Sequence, residues 1–291
     1  MRFRPGTYLS KTILWLLLLA SGLLVFTSQN KIDRIDAADG QQGELLYFPS
    51  ARFTRAAAFG FTNLAADGIW LQMIQYYGRH SLSDREYKYL GHMFDLLTCL
   101  APEFKMAYNF GALLLVSDAR DPAGALKLLD KGISLNPDEW SIPFTKGFVN
   151  YIFLGDYREA GRWFTISSRL AGAPEMAGRF AAFALKKGGD LNTSRELWVE
   201  IYNKSRNQTE KEIAKLYIDE IDQRLIIEKL NAMVAAYHKE KGDWPEGLPQ
   251  MLAAGYLRYV PADPLGGKFL LSPGRDRVIA IGGGNKKNKV E

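Results

Sequence analysis

The chain of 291 residues has a single cysteine, Cys99, and only three histidines. One thiol excludes an intrachain disulfide, a CxxC redox pair and a haem-attachment motif. Leu96, Leu97 and Leu100 surround Cys99 on a helical pattern, which predicts a buried structural thiol. A lone thiol is also compatible with an oxidising compartment. His80, His92 and His238 lack metal-ligand spacing such as HExxH, and a predicted loop separates the first two. There is no GxSxG elbow and no Walker loop, and Gly282, Gly283 and Gly284 have no following helix to cradle a phosphate. Asp67 lacks a second acid or histidine beside it and reads as structural. No catalytic constellation emerges. The chain is therefore expected not to be an enzyme and to need no cofactor or metal.

Strong charge of one sign is missing too. Lysine and arginine number 37 against 32 acids, a formal net charge of +5. Part of the excess sits at Arg2, Arg4 and Lys11 and at Lys286, Lys287 and Lys289. Such terminal patches suit a membrane boundary or a solvated tail. No basic stripe interleaved with aromatics runs through the middle, so nucleic acid is not an expected partner.

What is present begins with residues 12–30, which carry no charge. At about 1.5 Å per residue they would span roughly the 30 Å core of a bilayer. The basic residues before them place the N-terminus in the cytoplasm and the bulk of the chain outside, in the periplasm if the source is a Gram-negative bacterium. A cleaved signal peptide is the rival reading, but Val25 and Thr27 make a weak cleavage signal and there is no lipobox cysteine.

The second feature is a repeat. Phe144, Gly147, Tyr151, Leu154, Gly155, Tyr157, Ala160, Phe164 and Pro174 form its clearest unit, with a turn at Leu154–Tyr157. One unit earlier stand Ala125, Leu129, Gly132 and Pro137; one unit later, Ser194, Trp198 and Ile201 follow a Gly189–Asp190 turn. The small residues Ala125, Ala160 and Ser194 are thus 35 and 34 positions apart. A more divergent unit, with Trp70, Ile74, Gly78, Leu90, Phe94, Leu97 and Pro102, precedes them. Two extra residues enter the Ser117–Pro122 turn, and a longer insert lies around Arg79–Glu86.

This pattern resembles the tetratricopeptide repeat. The resemblance implies stacked helix pairs whose small residues permit close approach, with a groove that binds protein segments. By analogy, the groove positions would be Tyr108, Ala112 and Leu115, then Thr145, Val149 and Ile152, then Arg179, Phe183 and Lys186. Either a partner protein or the chain's own C-terminal helix would occupy them.

At the C-terminal end, Thr209 and Glu212 read as a capping box opening a long helix that Gly242 closes. There follow Gly242-Asp243-Trp244-Pro245, a short helix near Leu248 and Leu252, and Pro261-Ala262-Asp263-Pro264-Leu265-Gly266. Strands are expected at residues 268–271 and 277–281. This segment resembles the globular end of type II secretion pseudopilins. It departs from that family in two ways: Lys11 stands five residues after Gly6, where a pilin needs glutamate, and no calcium loop is recognisable after Asp276. Asp263 is expected to hold its turn rather than bind calcium.

The expected fold is mainly α. It comprises a membrane anchor (1–30), a linker (31–57), a tetratricopeptide-type solenoid (58–208), a long helix with a small pseudopilin-like α+β module (209–281) and a disordered basic tail (282–291). The expected function is a membrane-anchored protein–protein interaction scaffold facing the periplasm, beside a secretion, pilus or transporter complex. Its partners would be protein in the groove and a lipid bilayer at residues 12–30. The alternatives are a structural subunit that self-assembles through the C-terminal module, and an envelope hydrolase, which the apolar groove disfavours.

Overall fold

The computed structural model describes residues 15–17, 19–24, 27 and 50–282. The chain divides into two compact units, residues 1–49 and 50–291. In the first, the described residues are helical and carry exposed Trp15, Leu16, Leu17, Leu19, Leu23 and Leu24. No helix among the described residues is long and apolar enough to cross a membrane. Residues 12–14, 18, 25, 26 and 28–30 of the anchor expected at 12–30, and all of the tail beyond Gly282, lie outside the described residues.

The second unit is mainly helical, with one small two-stranded sheet. Its first helices are α1 (Ala51–Ala57), α2 (Thr62–Leu82), α3 (Leu90–Leu100), α4 (Lys105–Ser117) and α5 (Pro122–Leu135). Then come α6 (Ser141–Val149), α7 (Tyr157–Ser168), α8 (Met176–Lys187) and α9 (Leu191–Lys204). The chain ends in α10 (Gln208–Lys241), α11 (Leu248–Ala253), β1 (Lys268–Leu271) and β2 (Val278–Ile281). Helix α1 occupies the end of the stretch expected to be linker: Ser50 caps it by accepting from the Phe53 amide, which sets helix geometry there.

One device opens three of these helices. Asp121, Asp156 and Asp190 cap α5, α7 and α9, their carboxylates accepting from the amides of Gly124, Glu159 and Thr193. An aspartate at that position satisfies an amide the helix would leave orphaned, and each cap contributes about 1 kcal/mol. The caps recur at intervals of 35 and 34 residues, and so do Ala125, Ala160 and Ser194, four residues into the same helices and all fully buried. The Ser194 hydroxyl is not idle in that position; it donates to the Ala182 carbonyl at 2.8 Å.

Between α6 and α7 the expected turn is present, with Gly155 in the left-handed region at φ 68°. The helix reaches it through a π-helical turn, Asn150–Leu154, which sequence patterning does not announce. Buried Asn150 holds this turn, donating to the Lys146 carbonyl at 2.8 Å and accepting from the Asp156 amide at 3.0 Å.

Consecutive helices pack on one another from α2 to α10, and α4 also touches α6. The approach is close. A methyl added at Gly147 would lie 2.7 Å from the Phe164 ring, and one at Gly161 would lie 2.5 Å from Leu185. Phe144, Phe164 and Phe180 meet within ring-centroid distances of 5.1 to 5.6 Å and fill the centre of the α6–α8 layer. Fully buried Trp198 stacks on Tyr217 of α10 at 4.6 Å and meets the edge of Phe183 of α8 at 5.0 Å.

Helix α10 is about 50 Å long at 1.5 Å per residue. Its two halves serve different cores. Ala214, Ile218 and Ile221 join the core of α7–α9. Leu230, Val234 and Tyr237 build a second core with Leu248, Met251, Leu257, Phe269 and Val278. The helix begins two residues earlier than the Thr209 capping box implies. Asn207 is the cap, accepting from the amides of Thr209 and Glu210, so Thr209 lies inside the first turn. Its end is as expected, with Gly242 left-handed at φ 81°.

In the C-terminal module β1 and β2 pair antiparallel, Phe269 opposite Ala280 and Leu271 opposite Val278. The Val278 amide donates to Asn231 of α10 at 2.7 Å, fixing the sheet to the helix. Asp263 holds its turn by accepting from the Leu265 amide at 3.0 Å, and Gln223 of α10 donates to both of its carboxylate oxygens.

Candidate partner-binding face

The nine expected groove residues fall into three environments. Tyr108, Ala112, Leu115 and Val149 are enclosed in the core. The Tyr108 ring lies over Gly132 and its hydroxyl donates to the Pro102 carbonyl at 3.0 Å. For Tyr108, Ala112 and Leu115 the cause is register. Gly111 of α4 and Gly147 of α6 make the same kind of close crossing, against Leu128 and Phe94 in one case and Phe164 in the other, and they are 36 residues apart. On that alignment the counterpart of Thr145 is Asn109, one position past Tyr108. Tyr108, Ala112 and Leu115 therefore turn inward. The extra residues in the α4–α5 turn displace the first-helix positions relative to those of the second helices.

Arg179, Phe183 and Lys186 share one face of α8, and α10 covers it. Arg179 pairs with Glu210 at 2.9 Å, Lys186 pairs with Glu220, and Phe183 meets Tyr217 edge-on at 4.7 Å. Lys186 also lies 4.9 Å above the Tyr217 ring. Burial, reinforced by the nearby Glu220 charge, raises the Tyr217 hydroxyl above its ordinary value, so it stays neutral against the stack. Arg195 of α9 clamps the same helix through both oxygens of Asp222, at 2.5 and 3.0 Å. Here the chain's own C-terminal helix is the occupant.

Thr145 and Ile152 remain, and no described segment covers Ile152, which is 54% exposed. On α4, the Asn109 amide donates to Ser141 at 2.8 Å and thereby ties α4 to α6, and Met106 and Phe110 are exposed. Exposed Phe153 and Leu154 extend the apolar surface into the π-helical turn. The rim is charged. Lys105 pairs with Glu139, whose carboxyl burial would raise; Lys105 and Ser141 outweigh that and hold it below the usual carboxylate range. Met106 and Phe110 on α4, beside the Lys105–Glu139 pair, and Ile152 in the π-helical turn are thus exposed apolar side chains of this part of the chain. Sequence reasoning missed Asn109, Met106 and Phe110. The spacing of Gly111 and Gly147 was a signal for Asn109 alone.

The other potential sites are occupied by structural work. A cleft of about 250 Å³ lies where α9 meets the α7–α8 link and the start of α10, but its Glu200 and Glu210 pair with Lys204 and Arg179. Lys131 of α5 donates to the Asp95 carboxylate at 2.7 Å and approaches Cys99 at 3.0 Å, binding α3 to α5. Cys99 is half-buried rather than enclosed. Its carbonyl accepts from Arg55 of α1. Among the described residues no group of three or more His, Cys, Asp or Glu is placed to hold a metal. The chain matches no protein-family model and no curated protein.

Proposed function

We propose that this chain is a membrane-tethered protein-interaction scaffold, a tetratricopeptide-type solenoid whose open first-helix face binds an extended or helical segment of another protein. The observation that carries this reading is the recurrence of one packing device at repeat spacing. Asp121, Asp156 and Asp190 cap the second helices, Ala125, Ala160 and Ser194 sit buried behind them, and Gly111 and Gly147 serve the crossings. Helix pairs repeated in this way bury their apolar faces against neighbours and leave one side free for recognition. The chain itself illustrates the binding mode: α10 uses an aromatic anchor and flanking ion pairs to lie on α8, as a partner helix would lie on α4 and α6.

The uncharged run at residues 12–30 supports tethering in a bacterial inner membrane with the bulk of the chain in the periplasm, and the alternative is release after signal cleavage. The pseudopilin-like C-terminal pattern supports a position beside a secretion, pilus or transporter complex. Crosslinking and purification of the full chain from native membranes tests the reading. A partner recovered in fixed stoichiometry, and lost when Phe110 and Ile152 are changed to glutamate, is the expected result. A chain without any partner under every crosslinking condition, or a partner indifferent to those changes, overturns it.

A further inference from the structure

Helix α1 and the turn that joins it to α2 present phenylalanine to solvent. Phe53 is 61%, Phe59 88% and Phe61 69% exposed. Backbone bonds fix the turn, the Phe61 amide donating to the Ala58 carbonyl at 2.7 Å and the Phe59 amide to the Ala56 carbonyl at 3.3 Å. Phe59 and Gly60 both take the left-handed region, at φ 46° and 90°. That region suits Gly60 but is costly for a bulky side chain, and the most exposed of the three rings is the one that bears the cost. Arg55 secures α1 to α3, its guanidinium donating to the Cys99 carbonyl.

The composition around this corner identifies what it meets. From Leu45 to Ala66 the chain carries no acid, and Arg52 and Arg55 are the only charged residues. All 32 acids of the chain lie elsewhere. The same stretch holds Tyr47, Phe48, Phe53, Phe59 and Phe61. Arginine and aromatics without acids are the chemistry of a segment at the surface of an anionic bilayer, where rings enter the acyl boundary and positive charge is drawn to the headgroups. A protein surface gives no reason for the missing acids, whereas a negative lipid surface would repel each of them. The uncharged run ends at residue 30, and the fifteen residues from there to Leu45 reach at most about 50 Å. A chain tethered by that run therefore keeps the corner within range of the bilayer. We propose that the α1–α2 corner is a second membrane contact, at which Phe59 and Phe61 enter the interface of an anionic bilayer and the local excess of positive charge holds them there. This rests on the tethered reading given above and adds that the first helices lie against the same bilayer.

The test uses the full chain in vesicles of phosphatidylglycerol and phosphatidylcholine. Single cysteines are placed in a Cys99→Ser background and carry an environment-sensitive fluorophore: Asn63→Cys beside the corner, Asn203→Cys at the exposed end of α9, and Ala20→Cys in the uncharged run. Nitroxide-bearing lipids should quench position 63 at shallow depth about threefold more than position 203, and position 20 at greater depth. The change F59S/F61S should abolish quenching at 63 and leave position 20 unaltered. Both rings are exposed, so circular dichroism should report unchanged helix content. Vesicles of phosphatidylcholine alone should lower quenching at 63 by about half or more. Quenching at 20 without quenching at 63 overturns the inference while the tether stands; quenching at neither position overturns the tether and the inference together. Quenching at 63 that ignores F59S/F61S or the lipid charge also overturns the inference. So does a position 63 shielded from aqueous iodide yet untouched by lipid nitroxides, because a protein then covers the corner.

Discussion

At the last helix pair, α10 presses Tyr217 onto Trp198 and Phe183 and ties α8 down through Glu210 and Glu220. At the first pair, the outer face of α2 turns Leu64, Leu71 and Leu82 to solvent. A stack of helix pairs leaves an apolar surface at each end, because the terminal pairs lack one neighbour. One end here is finished from within the chain. The other shows no covering element among the described residues, and this difference teaches where each end's stability resides. The closed end contributes to folding of the single chain, whereas the exposed leucines of α2 contribute little to it.

Substitutions break or sharpen that comparison. The largest effect is expected from Trp198→Ala, which empties the space between α8, α9 and α10; a loss of about 3–5 kcal/mol should appear in urea unfolding. Leu71→Ala on the open end should change the stability of the monomer by no more than about 0.5 kcal/mol. The glycines give the next contrast, and it is one of sign. Gly147→Ala and Gly161→Ala force a methyl into Phe164 and Leu185 and should each cost about 1–3 kcal/mol. Gly68→Ala and Gly78→Ala should each raise monomer stability by about 0.5–1 kcal/mol, measured at concentrations where the chain does not associate.

The caps give effects of similar size. Asp121→Ala, Asp156→Ala and Asp190→Ala should each lower stability by about 1 kcal/mol, and their effects should add because the caps share no partners. The smallest effect is a pH dependence in the C-terminal module. The Tyr256 hydroxyl donates to Glu240 at 2.5 Å, and that bond, more than burial or the Glu240 charge alone, pushes its pKa up to about 12. A hydroxyl kept protonated by folding stabilises the folded chain below its free value, and that contribution is lost as pH rises through about 12. Glu240, held low first by the same bond and then by Lys241, contributes above the usual carboxylate range and loses that contribution as pH falls. Ultraviolet titration of the phenols should find one tyrosine ionising near 12, and Glu240→Gln should bring it down.

Much of the helical order was legible because it rests on local chemistry. Gly155 and Gly242 stop their helices in the left-handed region, and the strands at the C-terminal end fall where Gly266 and the apolar alternation put them. The small anchors Ala125, Ala160 and Ser194 are buried because the spacing that revealed them is the spacing of the packed helices. Other features depend on competition that local sequence does not decide. Asn207 and Thr209 are both competent caps two residues apart, and the fold uses the former. The π-helical turn at Asn150–Leu154 carries no composition of its own and exists through the Asn150 side chain. For the candidate face, third-pair positions were legible as exposed to a neighbouring element, but the inserted residues before Pro122 shifted the first pair, so Tyr108, Ala112 and Leu115 point into the core. The apolar texture of α2 was visible, while its two-faced character required knowing which residues α3 covers.

The account rests on one face being open at α4 and α6 and closed at α8, and site-specific photocrosslinking in native membranes tests it most directly. A photoreactive residue replacing Ile152 should join the chain to a second protein, and one replacing Phe183 should join only α9 or α10 of the same chain. Intermolecular adducts from Phe183, or none from Ile152 while the chain remains folded, would contradict the account.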